Sequence, residues 1–126
     1  MEGTLLLAGC GKMGGVLLNG WLERGLRASD IAVVEPNEAT AQAVAERHHV
    51  TVVDNFARLT PGFAPATVVL AVKPQVMDDV VPANAGYAGP ETVFLSIAAG
   101  KTVAYFEDKL GPEAAIVRAM PNTPAA

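Results

Sequence analysis

Apolar residues fall along this chain in short continuous blocks, separated by stretches in which they recur every three or four positions. TLLLA, Thr4 to Ala8, is bounded by glycines and predicts a buried strand. From Lys12 to Arg24 the residues Met13, Val16, Leu17, Gly20, Trp21 and Leu22 recur at helical spacing, and Gly25 stops that helix. IAVVE, Ile31 to Glu35, predicts a second strand, with a turn at Pro36 and Asn37. Glu38 to His49 has acids early and bases late, the arrangement a helix dipole favours. VTVV (Val50 to Val53), PATVVLAV (Pro65 to Val72), TVFLSIA (Thr92 to Ala98) and AIVRAM (Ala115 to Met120) predict four more strands. A helix is expected from about Thr102 to Leu110, and Asp78-Asp79 reads as a solvated helix start. There is no internal repeat and no low-complexity linker.

Strands spaced by helices need crossover connections, which predicts an α/β fold. It is a Rossmann-type, doubly wound, mostly parallel sheet with helices on both faces. Both faces are then covered, so the strands read as apolar runs rather than alternating ones. Ligands of such sheets bind beyond the carboxyl ends of the strands. The positions of interest therefore follow Ala8, Val34, Val53, Val72, Ile97 and Met120.

Composition narrows the class. The 126 residues are 51% hydrophobic and 17% charged, which suits one domain with a substantial core. Net charge is -4 with no run of Lys or Arg, so nucleic acid is not an expected partner. The single cysteine, Cys10, excludes an internal disulfide and offers no metal framework; no metal site is expected, and a reducing cytoplasm is. No apolar stretch reaches the roughly 18 residues that span a bilayer, and the N-terminus has no basic n-region. Neither a membrane nor a leader is expected.

The first strand is followed by Gly9-Cys10-Gly11-Lys12-Met13-Gly14, a G-x-G-x-x-G that opens a helix at the front of a βαβ unit. Gly9 permits the tight turn, Gly11 lets the backbone approach a pyrophosphate, and Gly14 lets the helix pack closely on the strand. Free amides at the helix start would meet the phosphate charge. Glu35 ends the second strand at the distance where the fingerprint expects an acid for the ribose diol. A carboxylate there repels a 2′-phosphate and no arginine follows at once, so charge favours NAD over NADP.

Three further segments stand at strand ends: Ala71-Val72-Lys73-Pro74-Gln75, Ser96-Ile97-Ala98-Ala99-Gly100, and Arg118-Ala119-Met120-Pro121-Asn122-Thr123-Pro124. With the glycine loop, their order and spacing resemble the pyrroline-5-carboxylate reductases, and VKP-Q and MPNTP are the more specific segments. The resemblance implies a single dinucleotide-binding domain over residues 1–126, the family's N-terminal half, lacking its C-terminal helical domain. It implies reduction of the C=N bond of 1-pyrroline-5-carboxylate to L-proline with hydride from NAD(P)H. Ala8, Gly9, Cys10, Gly11, Lys12 and Met13 would wrap the pyrophosphate, and Asn55 would lie near the adenosine half. Ala71, Val72, Lys73 and Pro74, with Ala98, Ala99 and Gly100, would line the nicotinamide half, with Asn122 beside them.

Two departures from the family follow. Its NADP-using members resemble one another in a small polar residue where this chain has Glu35. The family also continues after PNTPA into the helical domain, which is expected to dimerise, grip the substrate carboxylate and supply a hydroxyl near the imine. The chain is therefore expected to be half an active site: a cofactor binder, inactive alone, that associates as a homo-oligomer through an exposed apolar face. No catalytic residue is assigned; Ser96 and Thr123 lack the histidine–carboxylate pair that would activate them. The alternative is a stand-alone dinucleotide-binding or sensing module without catalysis. A β-hydroxyacid or prephenate-type dehydrogenase shares the first half of the pattern, and MPNTP argues against it.

The other conspicuous residues read as ordinary. Cys10 fills an alanine-sized slot, Lys12 lacks the P-loop pattern, and Lys73 lays its stem under the cofactor with its charge in water. His48-His49 complements a helix dipole, and Trp21 belongs to the core.

Overall fold

The computed structural model describes residues 4–9, 12–59, 64–89, 91–97 and 102–118. Six strands form one sheet: β1 (Leu5–Ala8), β2 (Ile31–Val34), β3 (Thr51–Val53), β4 (Thr67–Leu70), β5 (Val93–Ser96) and β6 (Ala115–Arg118). Their order is β3-β2-β1-β4-β5-β6, and every pairing is parallel. The chain starts in the middle, winds outward to β3, crosses back beside β1 and winds outward again. The carboxyl ends of β1 and β4 thus lie side by side where the winding reverses, the place at which such sheets open a crevice.

Two apolar layers hold the helices to the sheet. On one face α1 (Lys12–Glu23) and α2 (Glu38–His48) cover Leu5, Leu7, Ile31, Val33 and Val69 through Leu18, Trp21, Leu22 and Val44. On the other, α3 (Met77–Ala83) and α4 (Val103–Leu110) cover Leu6, Ala8, Val34, Val68, Leu70 and Phe94 through Met77, Val81, Phe106 and Leu110. Leu5, Leu6 and Leu7 point alternately into the two layers and are all fully buried, which is why the strand reads as an unbroken apolar run.

Departures from the expected elements have local causes. Asp78-Asp79 does begin a helix, but α3 has only seven residues; Pro82 leaves one bond of its ladder unmade, and it ends at Asn84, whose Nδ2 donates to the Val80 carbonyl at 2.8 Å. The fourth strand is shorter than the apolar run, because Ala71 and Val72 already belong to the turn. β6 lies at the sheet edge, and α1 and α2 do not reach it. Val93 on β5 and Val117 on β6 stay 39% and 49% exposed. Residues 119 and 120 of the sixth expected strand lie outside the described residues.

Helix α2 is capped at both ends. Asn37 accepts a hydrogen bond from the Thr40 amide at its start, and His49 closes it in a left-handed conformation, φ 58°. Burial, then the charges of Arg47 and His49, push the His48 imidazole below its ordinary range. That shift favours the neutral imidazole, so of the two basic residues in the last turn, Arg47 and His48, Arg47 is the one that complements the dipole.

Between α3 and α4 a polar clasp closes over the apolar layer. The Tyr105 hydroxyl donates to Asp78 Oδ1, Lys109 Nζ lies 3.8 Å from the same oxygen, and Lys109 stands 5.0 Å from the Tyr105 ring centroid. Burial, the hydrogen bond to Asp78 and the Asp78 charge, in that order, push the Tyr105 phenol up to about 12. Burial also raises the Tyr87 phenol. A raised folded value means the folded chain keeps a proton that the unfolded chain has released, so this stability is present below pH 10 and lost as the pH climbs toward 12. Ultraviolet titration of the two tyrosines is expected to show neither ionising at the ordinary value, and Tyr105→Phe to remove the component near 12. A Tyr105 that ionises near pH 10 would break the link to Asp78.

Candidate functional site

The turn from β1 into α1 is the tightest place among the described residues. Gly9 has φ +88°, a region that favours glycine, and its amide donates to the Val34 carbonyl at 2.9 Å. A side chain there has no room: a Cβ would lie 2.7 Å from Val72 Cγ1 and 3.2 Å from the Ala71 carbonyl. Gly14, inside the first turns of α1, sits against the same point, and a Cβ on it would lie 2.7 Å from the Gly9 carbonyl oxygen. Two glycines thus bring the start of a helix onto the ends of β1 and β4. Lys12 and Met13 open the helix itself, whereas Cys10 and Gly11 lie outside the described residues.

Beside this turn opens a cleft of about 270 Å³. Its floor is Ala8 and Gly9, one wall is Val34 and Pro36 at the end of β2, and another is Asn55 and Phe56 beyond β3. Val72 closes it from β4, and Val76, Val80 and Ala83 close it from the α3 side. Asp54 and Asp79 bring carboxylates to this apolar slot. A narrow apolar slot with a few polar groups suits a flat heterocycle with hydroxyls at one end. A larger groove of about 600 Å³ runs between α1 and α2, but none of the strand-end positions borders it.

The expected site residues separate into groups. Ala8, Gly9, Asn55 and Val72 line the cleft together. Ala71 supports it, donating its amide to the Ala8 carbonyl at 2.9 Å, and Gly14 is buried behind it. Lys73 is exposed just past β4, and Pro74 starts a 3-10 turn, Pro74–Val76. Glu35 stands between the two lining residues Val34 and Pro36 and is nearly buried. Its Oε2 accepts the Asn37 amide at 2.9 Å, and its own amide donates to the Val53 carbonyl at 2.9 Å. Asn55 Nδ2 donates to Asp54 Oδ1 at 3.1 Å. Ala98, Ala99, Gly100 and Asn122 lie outside the described residues.

Sequence reasoning missed the α3 wall. Its signal was present: Val76, Val80 and Ala83 are spaced i, i+4 and i+7, one face of a helix. Pro36, Asp54 and Phe56 carried no such signal, since they meet the cleft only through the β2–β3 register. Among the described residues no three His, Cys, Asp or Glu side chains gather as metal ligands, and no helix is long and apolar enough to cross a membrane.

This geometry has a direct consequence. Gly9→Ala and Gly14→Ala each put a methyl 2.7 Å from a neighbouring atom, and at Gly9 also in an unfavourable φ. Each is expected to lower stability by roughly 1–3 kcal/mol, whereas Gly15→Ala, with nothing within 4 Å, is expected to be neutral or stabilising. Urea denaturation checks all three, and equal effects at positions 14 and 15 would refute the close approach.

The comparisons agree with the family resemblance read from the sequence. A match to the family described as "NADP oxidoreductase coenzyme F420-dependent" covers residues 4–100. A pyrroline-5-carboxylate reductase of Pseudomonas aeruginosa is 37% identical over 117 residues, covering 93% of this chain and 42% of that protein. The solved pyrroline-5-carboxylate reductase of Coxiella burnetii superposes with a TM-score of 0.87 at 28% identity, covering 98% of this chain and 46% of that one. The Plasmodium falciparum pyrroline carboxylate reductase, solved with NADP bound, shares the fold with a TM-score of 0.76 at 24% identity, covering 98% and 44%. The chain thus spans less than half the length of the curated relatives it matches. By fold, glycine loop and matched length, the chain belongs to the F420-dependent NADP oxidoreductase family and resembles the N-terminal domain of its pyrroline-5-carboxylate reductases.

Proposed function

We propose that residues 1–126 are the dinucleotide-binding domain of a cytoplasmic, nicotinamide-dependent pyrroline-5-carboxylate reductase, which forms L-proline from 1-pyrroline-5-carboxylate. The observation that carries this reading is the cleft at the reversal of the sheet, where Ala8, Gly9, Asn55 and Val72 converge at the positions the reductase motifs mark. The cradle suits a dinucleotide: Gly9 leaves room where any side chain would strike Val72, and the amides at the start of α1 lie just beyond it. A bound reduced nicotinamide would supply the hydride to the imine carbon while the nitrogen takes a proton, so that C=N becomes CH–NH.

The roles of this chain's own residues are those of a holder. Ala8, Gly9, Cys10, Gly11, Lys12 and Met13 take the pyrophosphate, with Gly14 setting the helix close. Asn55 and the apolar slot take the adenosine, and Glu35 accepts from its ribose hydroxyls, which favours NADH. Ala71, Val72, Lys73, Pro74, Ala98, Ala99, Gly100 and Asn122 flank the nicotinamide. Positioning is the contribution of such a domain to the rate. The grip on the substrate is assigned to a further part of the kind that makes the relatives more than twice as long.

Titration with NADH and NADPH, followed by nicotinamide fluorescence, tests the reading. Saturable binding with tighter NADH, and negligible proline formation from pyrroline carboxylate, is the expected pair of results. Absence of binding by both cofactors refutes the reading, and brisk proline formation refutes its division of labour. We further propose a homo-oligomer that buries the sheet face at Val93 and Val117. Light scattering is expected to show association that Val117→Lys abolishes, and a monomer at high concentration would refute it.

A further inference from the structure

We infer that Asp79, on the α3 wall of the cleft, reads the base of the dinucleotide by accepting a hydrogen bond from the exocyclic amine of adenine. The inference rests on the dinucleotide reading above and deepens it, since it concerns the base rather than the ribose or the pyrophosphate.

Three polar side chains border the cleft, Asp54, Asn55 and Asp79, and every other described side chain that lines it is apolar. The three are not equivalent. Asp54 Oδ1 accepts from Asn55 Nδ2 at 3.1 Å and lies 3.0 Å from Arg58 Nε, so a cation on its own turn meets its charge. Asp79 is exposed and makes no hydrogen bond or ion pair with any described residue. It is the carboxylate left over at the slot.

The helix explains why. Val76, Asp79, Val80 and Ala83 are spaced i, i+3, i+4 and i+7 and all line the cleft, so they form one stripe along α3. Asp78 is one position earlier, about 100° around the helix. There it is taken by Tyr105 and Lys109 of α4. Of two adjacent acids, one is bound into the packing and the other is presented to an apolar slot.

A carboxylate accepts hydrogen bonds and donates none. It therefore favours an amine on a base that enters the slot and disfavours a carbonyl in the same place. Adenine carries the amine; hypoxanthine carries a carbonyl oxygen there. Asp79 also lies in the first turn of α3, where a carboxylate suits the helix start. That role would bear equally on a dinucleotide of either base.

The test titrates the parent, Asp79→Asn and Asp79→Ala with NADH and with reduced nicotinamide hypoxanthine dinucleotide, following nicotinamide fluorescence. The two ligands share ribose, pyrophosphate and nicotinamide. The parent is expected to hold NADH about tenfold more tightly, the worth of one hydrogen bond to a charged group. Asp79→Asn, whose amide donates as well as accepts, and Asp79→Ala are each expected to bring the two ligands within about twofold. The ratio is read within each variant, so a general loss of affinity does not disguise it. Variants that weaken both ligands and keep the parent's ratio assign Asp79 to the helix start and overturn the inference. A parent without preference overturns it too, as does a ratio that collapses with Asp54→Asn and not at position 79. In each of these cases the dinucleotide reading stands, whereas a parent that binds neither ligand overturns both.

Discussion

The contact between Gly9 and Gly14 is the constraint on which the site depends. The carbonyl of Gly9 occupies the space where a methyl on Gly14 would stand, and Val72 occupies the space beside Gly9 itself. Because neither glycine carries a side chain, the start of α1 meets the ends of β1 and β4 at van der Waals distance. Its first amides can then face the crevice rather than a wall of side chains. Moving that helix outward by the width of a methyl would carry its first turn away from the ends of β1 and β4.

Around this point the sheet acts as a rigid frame. Residues of β1 and β4 alternate between two apolar layers and are buried on both sides, so their carboxyl ends are held in place from either face. The frame is weaker toward β6, where the α1–α2 layer stops and Val93 and Val117 face outward. On the opposite face the Tyr105–Asp78–Lys109 clasp joins α4 to α3, the helix that walls the cleft. Distant packing thereby bears on the slot in which an adenosine would sit.

The turn after β2 shows how one short segment both starts a helix and borders the cleft. Asn37 caps α2, Glu35 holds the Asn37 amide, and Pro36 walls the cleft. Each act uses up or removes a backbone donor of the turn. Asn55, expected near the adenosine half, reaches the cleft next to Asp54.

The sequence by itself determined the alternation of strands and helices, the double-wound layout and the glycine loop. Each depends on a local regularity: continuous apolar runs where both faces are covered, recurrence every three or four residues in helices, and glycine where backbone must approach backbone. It also marked Ala8, Gly9, Asn55 and Val72, because they stand at strand ends that this layout points to one edge. It did not determine that Pro36, Asp54 and Phe56 share a wall with α3, nor that the Glu35 carboxylate is turned onto the Asn37 amide. Nor could it show that β6, itself read as an apolar run, would lie at an edge and stay half open. Those facts depend on which strand lies beside which. Register and crossover decide that over separations of twenty residues and more, a range at which no local pattern in the chain carries the information.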